Sequence, residues 1–170
     1  DFKEVFKGMK NSADQHNVPI IGGDIGGYKA DVFAATALGL VNSKNPMLRK
    51  NVKDGDLLCV TGTVGRAITA LTYFKEVKKL GFNLTKEEED NILLSWRRPS
   101  ARIKEGQILV NDLANACQDV SDGLKATIEQ MSSLSNKTFT IYEDKLPIDP
   151  ITTKLASFLK TDSTQIAISA

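Results

Sequence analysis

Histidine and cysteine are nearly absent, and their scarcity removes much familiar chemistry. His16 is the single histidine in 170 residues. With no ordered partner it makes no nucleophile–base triad. At the end of a helical pattern it reads as a helper to that helix terminus. The two cysteines, Cys59 and Cys117, sit in the apolar contexts LLCVT and NACQD. They are expected as reduced, partly buried thiols of a cytosolic protein, not as a disulfide. No apolar run approaches the roughly 20 residues of a membrane span. No cationic leader followed by an apolar stretch is visible. Neither charge sign dominates, with 22 Lys and Arg against 21 Asp and Glu. The basic footprint of a nucleic-acid binder is therefore missing. Repeats and low-complexity tracts are missing too.

What is there suits a globular chain. The hydrophobic content of 41% can build a core, and the length allows one domain or parts of two. The chain starts at Asp1 inside an amphipathic pattern and stops at TQIAISA, so further parts are expected on both sides. Phe2, Val5, Phe6, Met9 and Ala13 predict a helix over residues 2–16 with one buried stripe, ended by Asn17 and Pro19. NVPIIGG predicts a short strand, DIGGYK a turn, and ADVFAATALGLV a long apolar strand. The polar connector NSKNPMLRKNVKDGD marks a domain boundary, giving domains 1–52 and 53–170. LLCVTG predicts a buried strand running into a helix that carries the apolar residues Ala67, Leu71, Phe74 and Val77 and is stopped by Gly81. Thr85 and Glu88 form a capping box for a helix ending near Trp96, which itself suits core or hinge packing. Pro99 and Ser100 open a third helix reaching about Ala116. CQDV predicts a strand, and Ser121 an N-cap for DGLKATIEQMSSL. KTFTIYED predicts a strand, Pro147 and Pro150 lead into a helix, and TQIAISA predicts a final strand. Alternating strands and helices indicate an α/β or α+β fold.

Three turns could carry chemistry. Gly22-Gly23-Asp24 follows a strand. Its glycines permit positive φ and close ligand approach, and its carboxylate could hold a divalent cation beside phosphate oxygens. An ordinary hairpin turn uses the same residue types. Asp119-Val120-Ser121-Asp122-Gly123-Leu124 joins a strand to a helix whose N-terminus attracts anions. Two carboxylates three residues apart would repel unless cations sat between them, and magnesium suits such a site. Ser121 could donate to phosphate, or serve only as an N-cap. Thr61-Gly62-Thr63-Val64-Gly65 lacks the full dinucleotide fingerprint and suits close strand–helix packing. Arg49, in the connector, could meet a phosphate or stay solvated. Arg97, Arg98 and Arg102 suit surface pairing with acids. Glu87, Glu88, Glu89 and Asp90 read as a solvated face at a helix start.

The order of these motifs is more specific than any one of them. IIGGD, an apolar strand ending in ALG, LRK-x-x-x-x-GD-x-L-x-VTG-x-x-G, RRPSARIKEG-x-x-L, DVSDGL and LPI follow one another along nearly the whole chain. This series resembles the thiamine-monophosphate kinase family. That family is related to aminoimidazole-ribonucleotide synthetase and selenophosphate synthetase, in the PurM-like superfamily.

The resemblance implies a PurM-like two-domain architecture. Residues 1–52 would be the later part of an ATP-binding, dimer-forming domain, and 53–170 the first part of a second α/β domain. It implies ATP-dependent phosphorylation of thiamine monophosphate to thiamine diphosphate in a cytoplasmic homodimer, with no nucleic acid or membrane partner. Gly23, Asp24, Arg49 and Ser121 would contact ATP, and Asp24, Asp119 and Asp122 would bind Mg2+. No residue would act as a covalent or acid–base catalyst. Ile25 stands where the family often has Thr. The family's upstream paired aspartates and a GGEDYELLF-like segment are not in these residues, so the fragment is expected not to turn over alone. The alternatives are another ATP-using member of the superfamily, such as a selenophosphate or aminoimidazole-ribonucleotide synthetase, or a non-catalytic nucleotide-binding domain.

Overall fold

The computed structural model describes residues 2–41, 44, 46–111 and 113–169. It divides into two compact units, Asp1–Leu40 and Val41–Ala170.

In the first unit, α1 spans Phe2–Gln15. It stops as expected: Asn17 takes the left-handed conformation (φ 54°) and the Val18 N–H returns to the Ala13 carbonyl at 2.9 Å. Asn tolerates this conformation better than other side chains. The expected buried stripe is not buried, because Phe2, Val5, Phe6 and Met9 are all exposed. Helical spacing aligns apolar residues, but burial needs a facing surface. Residues 18–40 form neither helix nor ladder that could supply one. NVPIIGG and ADVFAATALGLV are thus irregular backbone, not strands, with Ile21 and Leu38 each 81% exposed. Local β preference makes a strand only when a neighbour offers ladder hydrogen bonds.

The second unit is helical. Its α2 (Arg66–Lys75) leads into a 3-10 turn, Val77–Leu80. Then come α3 (Lys86–Arg97), α4 (Ile103–Leu109), α5 (Leu124–Ser135), α6 (Pro150–Leu159) and α7 (Ser163–Ile168). No strand forms among the described residues, so the strands expected at LLCVTG, CQDV, KTFTIYED and TQIAISA are corrected. One isolated parallel bridge joins Val64 to Ile148, through Val64 N–H to the Pro147 carbonyl and Asp149 N–H to the Val64 carbonyl, both 3.0 Å. Residues 164–168 are helical because Asp162 caps α7, its carboxylate accepting from the Thr164 N–H at 3.0 Å; Ala170 lies outside the described residues. With LLCVTG unpaired, Cys59 is exposed. Cys117 is exposed as well, and both are free thiols, so neither is partly buried as expected. No helix among the described residues is long and apolar enough to cross a membrane.

The core lies where α2 packs on α3, α6 and α7. It is built from Ala70, Tyr73, Val77, Phe82, Ile92, Ile151 and Leu155. The inward face of α2 is Thr69, Ala70 and Tyr73, while Ala67 is exposed. The apolar pattern found Val77, which joins the core, and Phe74, which packs against it, but missed Thr69 and Tyr73, which are polar. They tolerate burial through partners: the Thr69 and Thr152 hydroxyls meet at 2.8 Å, and the Tyr73 hydroxyl donates to Glu89 at 3.0 Å. Gly81 closes the 3-10 turn at φ 91°, as expected.

The capping box forms. Thr85 Oγ1 accepts from the Glu88 N–H and Glu88 Oε2 accepts from the Thr85 N–H. The acidic run is not a merely solvated face. Glu88 also pairs with Lys154, Glu89 with Lys78 at 2.8 Å, and Asp90 with Lys86 at 2.6 Å. Hydrogen bonds from Lys78 and then Tyr73 hold Glu89 below the usual carboxylate range. Lys154, then the Thr85 N–H, do the same to Glu88. A depressed carboxylate contributes stability that is present above its unfolded value and lost as pH falls through its folded one. Urea midpoints are therefore expected to decline below about pH 4.5. Glu89→Gln should make that decline shallower; an unchanged acid limb would refute the assignment.

The third expected helix is shorter than predicted. Residues 99–102 stay irregular, and the Asn111 side chain bonds the Gln107 carbonyl at 3.0 Å, a local competitor for the helical ladder. Trp96 is exposed at 39% yet stacks on Phe74, with ring centroids 6.3 Å apart, in keeping with a packing role. Arg102 pairs with Glu105 at 3.1 Å.

Candidate functional site

The most built candidate lies at the head of α5. The helix begins at Leu124, two residues later than a Ser121 cap would place it. Gly123 occupies the N-cap position at φ 90°, ψ 163°, and no side chain caps the helix. That φ favours glycine. The turn therefore stands clear of the helix, with Asp119, Ser121 and Asp122 all exposed.

Side chains of α5 hold this segment from below. The buried Thr127 donates its hydroxyl to the Asp119 carbonyl at 3.2 Å. Gln118 Nε2 donates to Gln130 Oε1 at 2.7 Å. The same Gln130 oxygen accepts from Arg49 Nη1 at 3.3 Å, so Arg49 reaches the same helix. Among the described residues, no ion pair or side-chain hydrogen bond occupies the carboxylates of Asp119 and Asp122, in contrast to Asp54, Glu88, Glu89, Asp90, Glu105 and Asp149.

An oxygen-only, solvent-facing pair of carboxylates fits Mg2+, which accepts one or two carboxylates and keeps waters. It does not suit a closed zinc-type cage. No group of three His, Cys, Asp or Glu side chains that could hold a metal forms among the described residues. The open hollow beside Arg49 is lined by Ala126, Glu129, Gln130, Ser133 and Leu134. Arg49 and Glu129 both line it, so it presents charge of both signs.

Gly23 and Asp24 belong to the first unit, whereas Arg49, Asp119, Ser121 and Asp122 belong to the second. Asp24 is exposed. Neither Gly22 nor Gly23 adopts positive φ, and a Cβ at either would meet nothing within 4 Å. In this conformation the turn does not use the freedom its glycines offer.

The TGTVG turn is a packing device. Gly65 has φ 92°, and a Cβ there would lie 2.8 Å from both Cγ2 and Oγ1 of Thr152. Beside it, Asp149 is 1% exposed. Its carboxylate receives the Thr63 hydroxyl at 3.0 Å, Arg66 Nε at 2.6 Å and the Ile151 N–H at 3.0 Å. Sequence reasoning missed Asp149, although Asp before Pro at a helix start is an N-cap signal. Thr127 and Gln130 carried no such signal, since their roles depend on contacts eight and twelve residues away.

Comparison with known proteins places the chain. Residues 53–161 match the family described as AIR synthase related protein, C-terminal domain. The chain belongs to that family. Among curated relatives, a thiamine-monophosphate kinase of Pyrococcus horikoshii is 33% identical over 162 residues, covering 90% of this chain and 49% of the relative. One from Methanocaldococcus jannaschii is 34% identical over 149 residues, covering 85% and 44%. The chain thus spans about half the length of the curated relatives it matches. A crystal structure of thiamine monophosphate kinase from Aquifex aeolicus shares the fold with a TM-score of 0.61, at 24% identity, over 72% of this chain and 40% of that one. A structure of AaThiL complexed with AMPPCP and TMP aligns with a TM-score of 0.60 at 24% identity, over 72% and 38%. The PurM-like class expected from the motif order therefore holds at the level of fold, while the strands within these residues do not form.

Proposed function

We propose that this chain is part of a thiamine-monophosphate kinase that transfers the γ-phosphoryl group of ATP to thiamine monophosphate, giving thiamine diphosphate and ADP. The observation that carries this reading is the Asp119–Gly123 turn: two unpartnered carboxylates at the head of α5, in a chain about one-third identical to kinases of that name. In this reading Asp119 and Asp122, together with Asp24, are the Mg2+ ligands. Gly23, Asp24, Arg49 and Ser121 line the nucleotide. Bound Mg2+ would neutralise the phosphates of two polyanionic substrates.

The work of the chain is then positioning and electrostatics. A terminal phosphate oxygen of thiamine monophosphate forms the new bond to the γ-phosphorus as the bond to the ADP oxygen breaks. Because that nucleophile is already anionic, no general base is required, which accords with a site lacking His and Cys. Arg49 and the Ser121 hydroxyl orient phosphate oxygens. The activity belongs to the longer protein, and the 170-residue chain alone is expected to be inactive. A cytoplasmic homodimer is part of the same proposal. The homodimer part is supported by the exposed apolar residues Val32, Phe33, Leu38 and Leu40.

Calorimetric titration of the full-length protein with a non-hydrolysable ATP analogue, with and without Mg2+, tests the reading. Binding should require Mg2+, and Asp119→Asn or Asp122→Asn should each weaken it on the order of tenfold. Metal-independent binding, or indifference to both substitutions, would remove the assignment. A product assay offering each superfamily acceptor then identifies the substrate.

A further inference from the structure

We infer that Thr127 and Gln130 are positioning residues, through which α5 sets the Asp119–Asp122 turn and ties Arg49 to it. The inference rests on the proposed role of that turn as a cation site.

A cation site on a surface turn has a difficulty. Two neighbouring carboxylates repel, so an untethered turn relaxes to separate them and must be reordered when the ion arrives. Tethers that do not use the carboxylates themselves lower that cost. Here the tethers act on the flank of the turn. The Thr127 hydroxyl holds the Asp119 main-chain carbonyl at 3.2 Å, leaving its side chain unpartnered. Thr127 is 6% exposed, and its N–H also bonds the Gly123 carbonyl at 3.1 Å. That second bond is the first rung of α5 and any residue would make it, so the hold particular to Thr127 is its hydroxyl on Asp119.

Gln130 lies three residues further along α5, within reach of the same side of the helix. Its Oε1 accepts from Gln118, immediately before the turn, at 2.7 Å and from Arg49 at 3.3 Å. An amide oxygen has two lone pairs and can serve both donors. Arg49 and Gln118 are 69 positions apart in sequence, yet one acceptor fixes both. The buried Gln118 Oε1 has no hydrogen-bond partner. Gln118 is therefore held by its amide nitrogen alone, and its position depends on Gln130.

The test uses the full-length protein with Mn2+ as the probe ion, read by electron paramagnetic resonance in the presence of a non-hydrolysable ATP analogue. Amide hydrogen exchange of residues 119–123 is measured without metal. Thr127→Val removes the hydroxyl while keeping the shape, and Gln130→Leu removes the shared acceptor at an exposed position. Each should weaken Mn2+ binding about fivefold, the value of one ordinary hydrogen bond, and speed exchange in the turn. Thr127→Ser and Gln130→Glu should restore both. If wild type binds Mn2+ and both variants bind it equally well with unchanged exchange, the inference is overturned. A wild type blind to Mn2+ removes the cation reading itself, and this inference with it. Faster exchange across the whole chain, with no change confined to 119–123, would assign Thr127 a purely structural role and also overturn it.

Discussion

Gly65→Ala is expected to destabilise the second unit by about 4 kcal/mol, with two separable causes. A non-glycine residue held at φ 92° costs about 1–3 kcal/mol in backbone strain. The added methyl would also stand 2.8 Å from two Thr152 atoms and 3.2 Å from the Ala167 Cα. Overpacking of this kind costs about 1–3 kcal/mol. Thr152 cannot easily turn aside, since it is 0% exposed and its hydroxyl is engaged with Thr69. Ala167 offers backbone, which cannot rotate away. Urea unfolding followed by circular dichroism reads the loss. A midpoint within error of wild type would mean that α2, α6 and α7 do not meet at this glycine. Thr152→Ser in the Gly65→Ala background should recover part of the steric component and none of the backbone component.

Asp149→Ala is expected to cost about 3 kcal/mol. The carboxylate caps α6, a contribution of about 1 kcal/mol. It also accepts from Thr63 and Arg66, and hydrogen bonds to a charged group are worth about 1.5–3 kcal/mol. Breaking a fully buried ion pair would cost about 3–5 kcal/mol. The upper end does not apply here, because the Arg66 side chain is 42% exposed and can rehydrate when its partner is removed. Asp149→Asn preserves the cap and loses the charge, so its cost should be smaller, about 1–2 kcal/mol. Equal effects of the two substitutions would assign the whole role to the cap. A loss under about 1 kcal/mol for Asp149→Ala would refute the network.

These two positions also explain where the sequence was legible. Thr85 and Glu88, Gly81, Asn17 and Pro150 act on backbone groups within a few residues of themselves. Each ended or started a helix as read. The strands were not legible. LLCVTG and ADVFAATALGLV have the right composition, but a ladder is a contact between two segments, and composition describes one. TQIAISA shows the reverse case, where Asp162 outweighs the alternation that follows it. The inward face of α2 was only partly legible: Phe74 and Val77 reach the core as read, whereas Thr69 and Tyr73 are acceptable there only once Thr152 and Glu89 meet them.

The candidate site divides along the same line. Sequence alone offered residues whose chemistry suits the proposed site: Asp24, Asp119 and Asp122 as hard oxygen donors, Arg49 and Ser121 as candidate phosphate contacts. It also determined the motif order that marks the family. Only the tertiary structure decided that α5 starts at Leu124 and leaves Ser121 free, and that Arg49 and Gln118 share the Gln130 oxygen. It alone buried Asp149 beneath the TGTVG turn. The reason is physical. Donor type and capping are local properties of a few residues, whereas burial and shared hydrogen bonds belong to pairs of segments that only folding brings within about 3 Å.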